Sequence, residues 1–177
     1  DAGNPRHVEA LKEEIRQVEK KIEELKKEIP EEVHVSCFLI NCRELLLMLT
    51  NKYEQLKKNL IDLIAKRARS ETQRIWAKII EMQEKVKEQP ADIESLTNLK
   101  KYIQDVPNEL EKVQTEIQNC LDIFTLLEDF QYRFPTDDLS KRWHVFGGPK
   151  DILELVENRK AVLDKEREKF QNNMLTS

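Results

Sequence analysis

The sequence predicts an all-α protein: an elongated antiparallel helical bundle, or coiled-coil rod, with one very long central helix. Apolar residues recur at alternating steps of three and four along most of the chain, which is the pattern of one face of a helix. No glycine lies between Gly3 and Gly147, although sheet-rich folds need glycines in their turns. Charged residues make up 36% of the chain and aromatic residues only 6%, a mixture typical of long helices and coiled coils.

The first helix is expected to start at Asn4-Pro5 and to end at Pro30. Its apolar positions follow a strict three-four spacing, which forms a narrow coiled-coil seam. These positions are Val8, Leu11, Ile15, Val18, Ile22, Leu25 and Ile29.

The central helix is expected from Glu32 to Gln89, because neither glycine nor proline occurs between Pro30 and Pro90. At 1.5 Å per residue such a helix would be about 80 Å long. Its early part, from Phe38 to Leu49, is apolar on nearly every side, so we expect several neighbouring helices to bury that end. The predicted stripe comprises Cys42, Leu45, Leu49, Tyr53, Leu56, Leu60 and Ile64, and then Ile75, Ile79, Met82 and Val86.

The third helix follows the turn Pro90-Ala91-Asp92, and its apolar stripe runs from Leu96 to Leu127. Pro107 lies inside this stripe, yet the helical phase is unbroken across it, which favours one kinked helix or two nearly collinear helices. Short connections make neighbouring helices antiparallel. Residues 1–134 are therefore expected to form a three-helix bundle, near Phe38–Leu56, with a two-helix arm.

Residues 135–177 are expected to form a second region that leads on to a following domain. Thr136 suits the N-cap of a short helix that extends to about Val145. Gly147-Gly148 would end this helix, and Pro149 would open the final one.

No catalytic, cofactor-binding or metal-binding residue is predicted. Gly147-Gly148-Pro149-Lys150 lacks the spacing of a phosphate-binding P-loop, and its proline removes an amide donor. His34, Cys37 and Cys42 lack a fourth zinc ligand, so an exposed histidine and reduced thiols are favoured. The carboxylates occupy solvated helical faces, and no pair of them is singled out for acid–base chemistry.

Two groups of residues are candidates for interactions. Lys66, Arg67, Arg69 and Arg74 form a small basic patch, which is either a solvated face or a contact for an acidic partner.

Trp143 and Phe146 precede the rigid Gly147-Gly148-Pro149 turn. They either fill the core beside the last helix or form an interaction and hinge element that positions the next domain.

Composition limits the possible partners. The net charge is −4 and the isoelectric point is about 5.6, which does not favour nucleic acid. No apolar run approaches the roughly 20 residues needed to span a bilayer. Three cysteines without a disulfide-type spacing favour reduced thiols and a cytosolic location. The start at Asp1 suggests a piece of a longer chain.

The C-terminal third resembles the segment that precedes the linker in axonemal dynein heavy chains. The resemblance is carried by Phe130-Gln131-Tyr132-Arg133-Phe134 and by Lys141-Arg142-Trp143-His144-Val145-Phe146-Gly147-Gly148-Pro149-Lys150-Asp151-Ile152. The family pattern is Trp, two residues, Phe-Gly, one residue, Pro. Gly148 stands where the family often has tryptophan, so looser packing is expected here around the position of that tryptophan.

The resemblance implies a non-catalytic structural segment of a heavy-chain tail, next to the linker of a ciliary microtubule motor. ATP would bind only in the motor ring of the parent chain. The implied partners are the rest of the heavy chain, its linker and tail bundles, with dynein intermediate or light chains or another heavy chain as further candidates. The implied location is the cytoskeleton of the cilium or flagellum, in the axoneme.

The helical stripes alone fit a second class equally well: a stand-alone spectrin-repeat-like scaffold or coiled-coil interaction module. A membrane-bending helical dimer would need a basic concave face, which the net acidity does not favour.

Overall fold

A computed structural model describes residues 5–175, including the side chains of residues 8–163 and of Lys165. In chain order it contains α1 (Pro5–Glu28), β1 (Glu32–Val35), β2 (Phe38–Asn41), α2 (Arg43–Lys87), α3 (Ile93–Asp129) and α4 (Thr136–Leu175). The prediction of a helical bundle is confirmed, with one small β-hairpin added. None of the helices, as far as they are described, is long and apolar enough to cross a membrane.

The described residues divide into two compact units. Unit 1 contains the chain up to Ala68 and the segment Leu121–Arg133. Unit 2 contains Arg69–Cys120 and the chain from Phe134 onward. Helices α2 and α3 each contribute to both units. The boundary expected after residue 134 stays a prediction.

Helix α1 confirms the predicted first helix. It begins at Pro5, where a proline costs no hydrogen bond because the first amides of a helix have no partner within it. Ile15 and Ile22 of the predicted seam are buried. Lys26 and Lys27 occupy the last turn, where positive charge counters the helix dipole.

The prediction that the central helix begins at Glu32 is wrong, because residues 32–41 form an antiparallel hairpin. Its two strands alternate β-branched and aromatic residues with other residue types, a pattern that fits extended backbone better than helix. In the observed register Val33 pairs with Ile40 and Val35 pairs with Phe38. These four apolar side chains share one face of the hairpin.

Hydrogen bonds at the base of the hairpin determine where α2 begins. The Oδ1 atom of Asn41 accepts a hydrogen bond of 2.9 Å from the backbone N–H of Arg43, an Asx turn that satisfies the first amide of the helix. The Arg43 guanidinium also lies 2.6 Å from the Glu31 carboxylate. In the turn between the strands, Ser36 has a left-handed φ of 56°. Helix α2 therefore has 45 residues.

The predicted burial of the early central segment is also wrong. Phe38 is 70% exposed and Leu45 is 53% exposed. Leu39, Ile40, Leu47 and Met48 are exposed as well. Helix α1 covers a different side of α2, where the Lys57 ammonium lies 2.8 Å from the Glu19 carboxylate. The buried residues of α2 in unit 1 are Ile61, Ile64, Ala65 and Ala68.

The end of α3 lies beside the start of α1. The Lys12 ammonium is 3.2 Å from the Asp129 carboxylate. Helix α3 then ends in a Schellman motif, in which the N–H of Tyr132 donates to the carbonyl of Leu127. Gln131 adopts the left-handed conformation that this motif requires, with φ 57°.

In unit 2, α2 and α3 are antiparallel. Lys78 of α2 contacts Glu116 of α3, with 2.7 Å between Nζ and Oε1. Further along α2, the Lys85 ammonium lies 5.7 Å from the ring centroid of Tyr102, which precedes Glu116 in α3. Contacts that advance along one helix therefore move backward along the other. The predicted antiparallel pairing of the second and third helices is confirmed.

Helix α4 runs parallel to α2 in unit 2, because contacts occur in the same order along both helices. The paired residues are Arg69 with Asp138, Trp76 with His144, Ile79 with Gly148 and, just after the end of α2, Glu88 with Arg159. The core of unit 2 contains the predicted stripe residues Ile75, Ile79, Met82 and Val86 of α2, the eight predicted stripe residues from Leu96 to Cys120 in α3, and Val145, Ile152, Val156 and Leu163 of α4.

Pro107 and Pro149 both lie within continuous helices. Pro107 lies inside α3, which agrees with the unbroken phase of its stripe. Pro149 lies inside α4, so the expected short helix, corner and final helix form a single helix from Thr136 to Leu175. Neither Gly147 nor Gly148 has a positive φ, and the chain therefore does not leave the helix there.

Candidate interaction site

The predicted Gly-Gly-Pro corner is a site of close helix packing. A Cβ atom on Gly148 would lie 2.7 Å from Cδ1 and 2.9 Å from Cγ2 of Ile79, distances that real Cβ atoms do not adopt. Gly148 and Pro149 are both buried. The missing side chain of Gly148 therefore allows α4 to approach α2 closely. The proposed hinge role of Gly147, Gly148 and Pro149 stays a prediction.

Trp143 does not fill the core of unit 2. Its side chain is 74% exposed, whereas Val145, two residues later, is buried. Phe146 is partly buried, and the Arg142 guanidinium lies 5.7 Å from its ring centroid. The aromatic residue of α2 that meets α4 is Trp76, whose ring centroid lies 5.7 Å from that of His144. A docking role for Trp143 and Phe146 stays a prediction.

The four residues of the predicted basic patch differ in their surroundings. In unit 1, Lys66 is exposed and Arg67 is partly buried. In unit 2, Arg69 forms an ion pair with Asp138 of α4. Arg74 lies 2.8 Å from the carboxylate of Glu71 on the same helix.

The second carboxylate beside Arg74 belongs to α3. The Arg74 guanidinium lies 3.3 Å from Glu116, which also binds Lys78. The hydrogen bond to Glu71 is the main cause that raises the pKa of Arg74. Because intramolecular carboxylates already compensate Arg69 and Arg74, these two are poorly suited to an acidic partner. The partner role of the patch stays a prediction.

A shallow cleft of about 300 Å³ lies between α2 and α3 in unit 2. Lys78, Lys85 and Lys112 alternate along its walls with Glu81, Glu109 and Glu116. Burial raises the pKa of the Tyr102 phenol, which also lines the cleft, and this keeps the phenol neutral. The Lys78–Glu116 ion pair links α2 to α3 at this cleft, and Lys85 pairs with Glu81 within α2. Such pairs and a neutral phenol do not form an activated nucleophile.

The thiol of Cys120 is buried in unit 2. Its Sγ atom lies 3.4 Å from Oγ1 of Thr72, the one buried polar side chain among those described. Burial raises the pKa of this thiol and so opposes formation of the reactive thiolate. Among the side chains that the structure describes, no group of three metal-ligating residues is placed to hold a metal ion.

The connection between α2 and α3 contains a reciprocal cap that was not predicted. The backbone N–H of Ser95 donates to Oδ1 of Asp92 at 2.8 Å, and the N–H of Asp92 donates to Oγ of Ser95 at 3.1 Å. This is the geometry of a capping box, with serine in the place of the usual Glu or Gln. The spacing Asp-x-x-Ser directly before the stripe of α3 is the sequence signal that identifies it.

A family model described as the dynein axonemal heavy chain 2/5/8 coiled coil matches residues 57–177, which is more than half of the chain. The chain belongs to the dynein axonemal heavy chain family. Residues 57–177 include most of α2, all of α3 and the whole of α4 as described. The family predicted from Trp143, Phe146 and their neighbours is therefore confirmed, and so is its coiled-coil, structural character.

Individual members of the family are similar over most of this chain at low identity. The human protein "Dynein axonemal heavy chain 1" is 26% identical over 143 residues, which is 81% of this chain and 3% of that protein. The mouse protein of the same name is 25% identical over 156 residues, covering 88% of this chain and 4% of that protein. The chain thus spans only 3–4% of the length of these curated relatives.

Proposed function

We propose that this segment is a non-catalytic spacer in the tail of an axonemal dynein heavy chain, next to the linker. The single observation that carries the proposal is the family match over α2, α3 and α4. The parent chain is a microtubule motor of the cilium or flagellum, and the ATP that drives it binds in a motor ring outside these residues.

The packing of unit 2 supports a mechanical role. A parallel pair, α2 with α4, and an antiparallel pair, α2 with α3, share one apolar core. Helices that are packed laterally along their length resist bending better than a single helix or a flexible linker. The segment would therefore transmit force between the tail and the linker while contributing no chemical step.

The catalytic part of the proposal can be tested by measuring ATP turnover. The 177-residue chain should show none above a buffer control, with or without microtubules, whereas the purified parent heavy chain should hydrolyse ATP. Turnover that copurifies with the isolated chain and is lost in a denatured sample would contradict it.

The mechanical part requires the parent heavy chain. Ile103→Asp places a charge in the core of unit 2, where Ile103 is buried, and should weaken packing around α3. We expect the variant motor to retain its basal ATPase rate but to move microtubules more slowly. Asn98→Asp, on an exposed position of α3, is the control. Unchanged gliding velocity in the Ile103→Asp motor would argue against force transmission through this segment.

The heavy chain itself, including its linker and tail bundles, is the first proposed partner. Dynein intermediate or light chains and another heavy chain are further candidates. The proposed location is the axoneme of a cilium or flagellum.

A further inference from the structure

Helix α4 contains three consecutive residues that disfavour a helix. Gly147, Gly148 and Pro149 all lie inside it, although glycine and proline have the lowest helix propensities of all residues. Pro149 has no backbone N–H, so the carbonyl of Val145, four residues earlier, receives no helical hydrogen bond from it. Taken alone, residues 147–149 should therefore bend or end a helix. We call these three residues the weak segment.

The core of unit 2 holds both halves of α4 in line. Val145 before the weak segment and Ile152 and Val156 after it are all buried, with exposed fractions of 2% or less. At helical spacing these three residues lie on one side of α4. Gly148 and Pro149 are buried as well, so burial continues through the weak segment. One side of α4 therefore faces the core without interruption.

Polar contacts attach each half of α4 separately. In the half before the weak segment, Asp138 forms an ion pair with Arg69 of α2. In the half after it, the Arg159 guanidinium donates a hydrogen bond of 2.8 Å to the carbonyl of Glu88, just after the end of α2. The two halves of α4 are thus aligned by the same neighbouring helix, on both sides of the weak segment.

The closest contact with α2 lies at the weak segment itself. Cδ1 of Ile79 is 2.7 Å from the position that a Cβ atom on Gly148 would take, so Ile79 fills the space beside the glycine backbone. Gly147 has open space at the corresponding position, with Oδ2 of Asp151 nearest at 4.0 Å. Packing against α2 therefore supports the helix at residues whose own propensity opposes it.

We propose that α4 is a conditional hinge: a helix that is continuous while it is packed in unit 2, and that bends at the weak segment when the half after Pro149 leaves the core. Local propensity and tertiary packing favour different structures here, and the straight helix persists only while the packing does. The bend would require no unfolding of α2 or α3. The proposal rests on contacts within unit 2 and does not require the proposed motor function.

The distance between two spin labels on α4 tests the hinge. Ser140→Cys and Asn158→Cys place the labels at exposed positions before and after the weak segment. The native thiols are removed by Cys37→Ser, Cys42→Ser and Cys120→Ala. A straight helix separates the two labelled positions by about 27 Å. Double electron–electron resonance should give one narrow distance distribution for the packed chain.

A second pair of replacements releases the half of α4 after Pro149. Ile152→Gln with Val156→Gln makes two buried side chains polar and retains good helix propensity. The distance distribution should then become roughly twofold broader and move to shorter distances, because the helix bends. Leu153→Gln with Glu157→Gln is the matched control at exposed positions of the same helix and should keep the narrow distribution.

The decisive comparison restores helix propensity in the released chain. Gly147→Ala with Pro149→Ala introduces a methyl group where there is open space and an N–H where proline has none. These replacements should return the narrow distribution in the released chain. Labels at the exposed positions of Gln73→Cys and Asn158→Cys report the release itself, because their distance distribution broadens when the end of α4 leaves α2. Release without broadening within α4, or equal broadening with and without the alanines, would overturn the proposal.

Hydrogen exchange of the unmodified chain tests the hinge even if the glutamine variant fails to fold or stays packed. Amides of residues 150–153 should exchange at least roughly tenfold faster than those of residues 110–117 in α3, because the end of α4 opens before unit 2 unfolds. Gly147→Ala with Pro149→Ala should slow this exchange, since a straight α4 opens only as a whole, whereas Ser140→Ala should not. Exchange of residues 150–153 at the same rate as α3 would contradict the hinge.

Discussion

Gly148 of α4 packs directly against Ile79 of α2. A methyl group on Gly148 would lie 2.7 Å from Cδ1 of Ile79, so the two helices would have to move apart to admit it. Gly147, the adjacent glycine, has open space around the corresponding position, with Oδ2 of Asp151 nearest at 4.0 Å. Two neighbouring glycines in one helix thus have opposite packing environments.

Gly148→Ala should therefore destabilise the chain by about 1–3 kcal/mol, because overpacking outweighs the better helix propensity of alanine. Gly147→Ala is the matched control and should stabilise by up to about 1 kcal/mol, because it improves propensity without a clash. Urea unfolding followed by circular dichroism measures both changes.

A double-mutant cycle provides a second check of the same contact. Ile79→Ala removes both of the atoms nearest to Gly148 and should cost less stability in the Gly148→Ala background than in the parent chain. If Gly148→Ala proves as stable as the parent, the close approach of α4 to α2 is wrong.

Trp143→Ala should change the free energy of unfolding by no more than about 0.5 kcal/mol, because its side chain is largely exposed. Ile152→Ala, on the buried side of the same helix, should cost about 2–5 kcal/mol. Thermal unfolding compares the two. A large loss of helicity in Trp143→Ala would place that side chain in the core, contrary to the structure.

Helix α3 should lose stability when its capping box is removed. Asp92→Ala deletes the acceptor of the Ser95 N–H, so the melting temperature of this variant should fall. Asp92→Asn retains a capping oxygen, so its melting temperature should fall less.

The pH dependence has a defined sign. The hydrogen bonds from Ser95 lower the pKa of Asp92 below its ordinary value. The stabilisation that the ionised Asp92 carboxylate gives to the folded chain is therefore present at neutral pH. It is lost as the pH falls through the ordinary carboxylate range toward the lowered pKa. The Asp92→Asn variant should lack this part of the acid sensitivity. An identical acid titration of stability in parent and variant would count against the cap.

Cys120 and Cys37 should differ in their reaction with a thiol reagent. Cys37 is exposed in the hairpin turn, whereas Cys120 is buried. Burial raises the pKa of Cys120 and so reduces the fraction of reactive thiolate. In the native chain the reagent should modify Cys37 rapidly and Cys120 only on unfolding. Cys37→Ser should remove the fast phase, and a fast phase at Cys120 would show that the core of unit 2 opens readily.

The apolar face of the hairpin should promote self-association. Phe38→Thr removes an aromatic side chain that is largely exposed and keeps a β-branched residue in the strand. Sedimentation at high protein concentration should show less association for this variant. Val162→Thr, at an exposed position of α4, is the control and should behave like the parent. Equal association of Phe38→Thr and the parent would mean that the hairpin is not the contact.

Three-four periodicity was sufficient to predict the parts of α2 and α3 that lie in unit 2. Ile75, Ile79, Met82 and Val86 are buried as predicted, because one face of α2 meets two neighbouring helices there. The unbroken phase across Pro107 likewise predicted one kinked helix or two nearly collinear helices, and the structure contains one helix there. In both cases the local pattern and the tertiary packing favour the same structure.

The same reasoning failed where two patterns overlapped. In residues 32–41, the apolar run fits a buried helix as well as a hairpin, and only the alternation of Val33, Val35 and Ile40 favours strands. Further along, Leu45 and Leu56 fit a helical stripe, but periodicity does not reveal that both side chains are exposed.

The close approach at Gly148 was also hidden from sequence reasoning. A Gly-Gly-Pro sequence is more typical of a helix end. The need for glycine at position 148 arises because a Cβ atom there would clash with Ile79, a residue far away in sequence. The cap at Asp92, by contrast, could have been predicted from local spacing alone.

The most direct test of the central claim is the mass of the native polypeptide that contains this segment. An antibody raised against the 177-residue chain should detect, in a ciliary extract, a very large polypeptide that binds microtubules and is released by ATP. That result is expected if the segment is a small part of an axonemal dynein heavy chain. A single band near 21.0 kDa, the mass of the segment itself, would contradict the claim and favour a stand-alone coiled-coil scaffold.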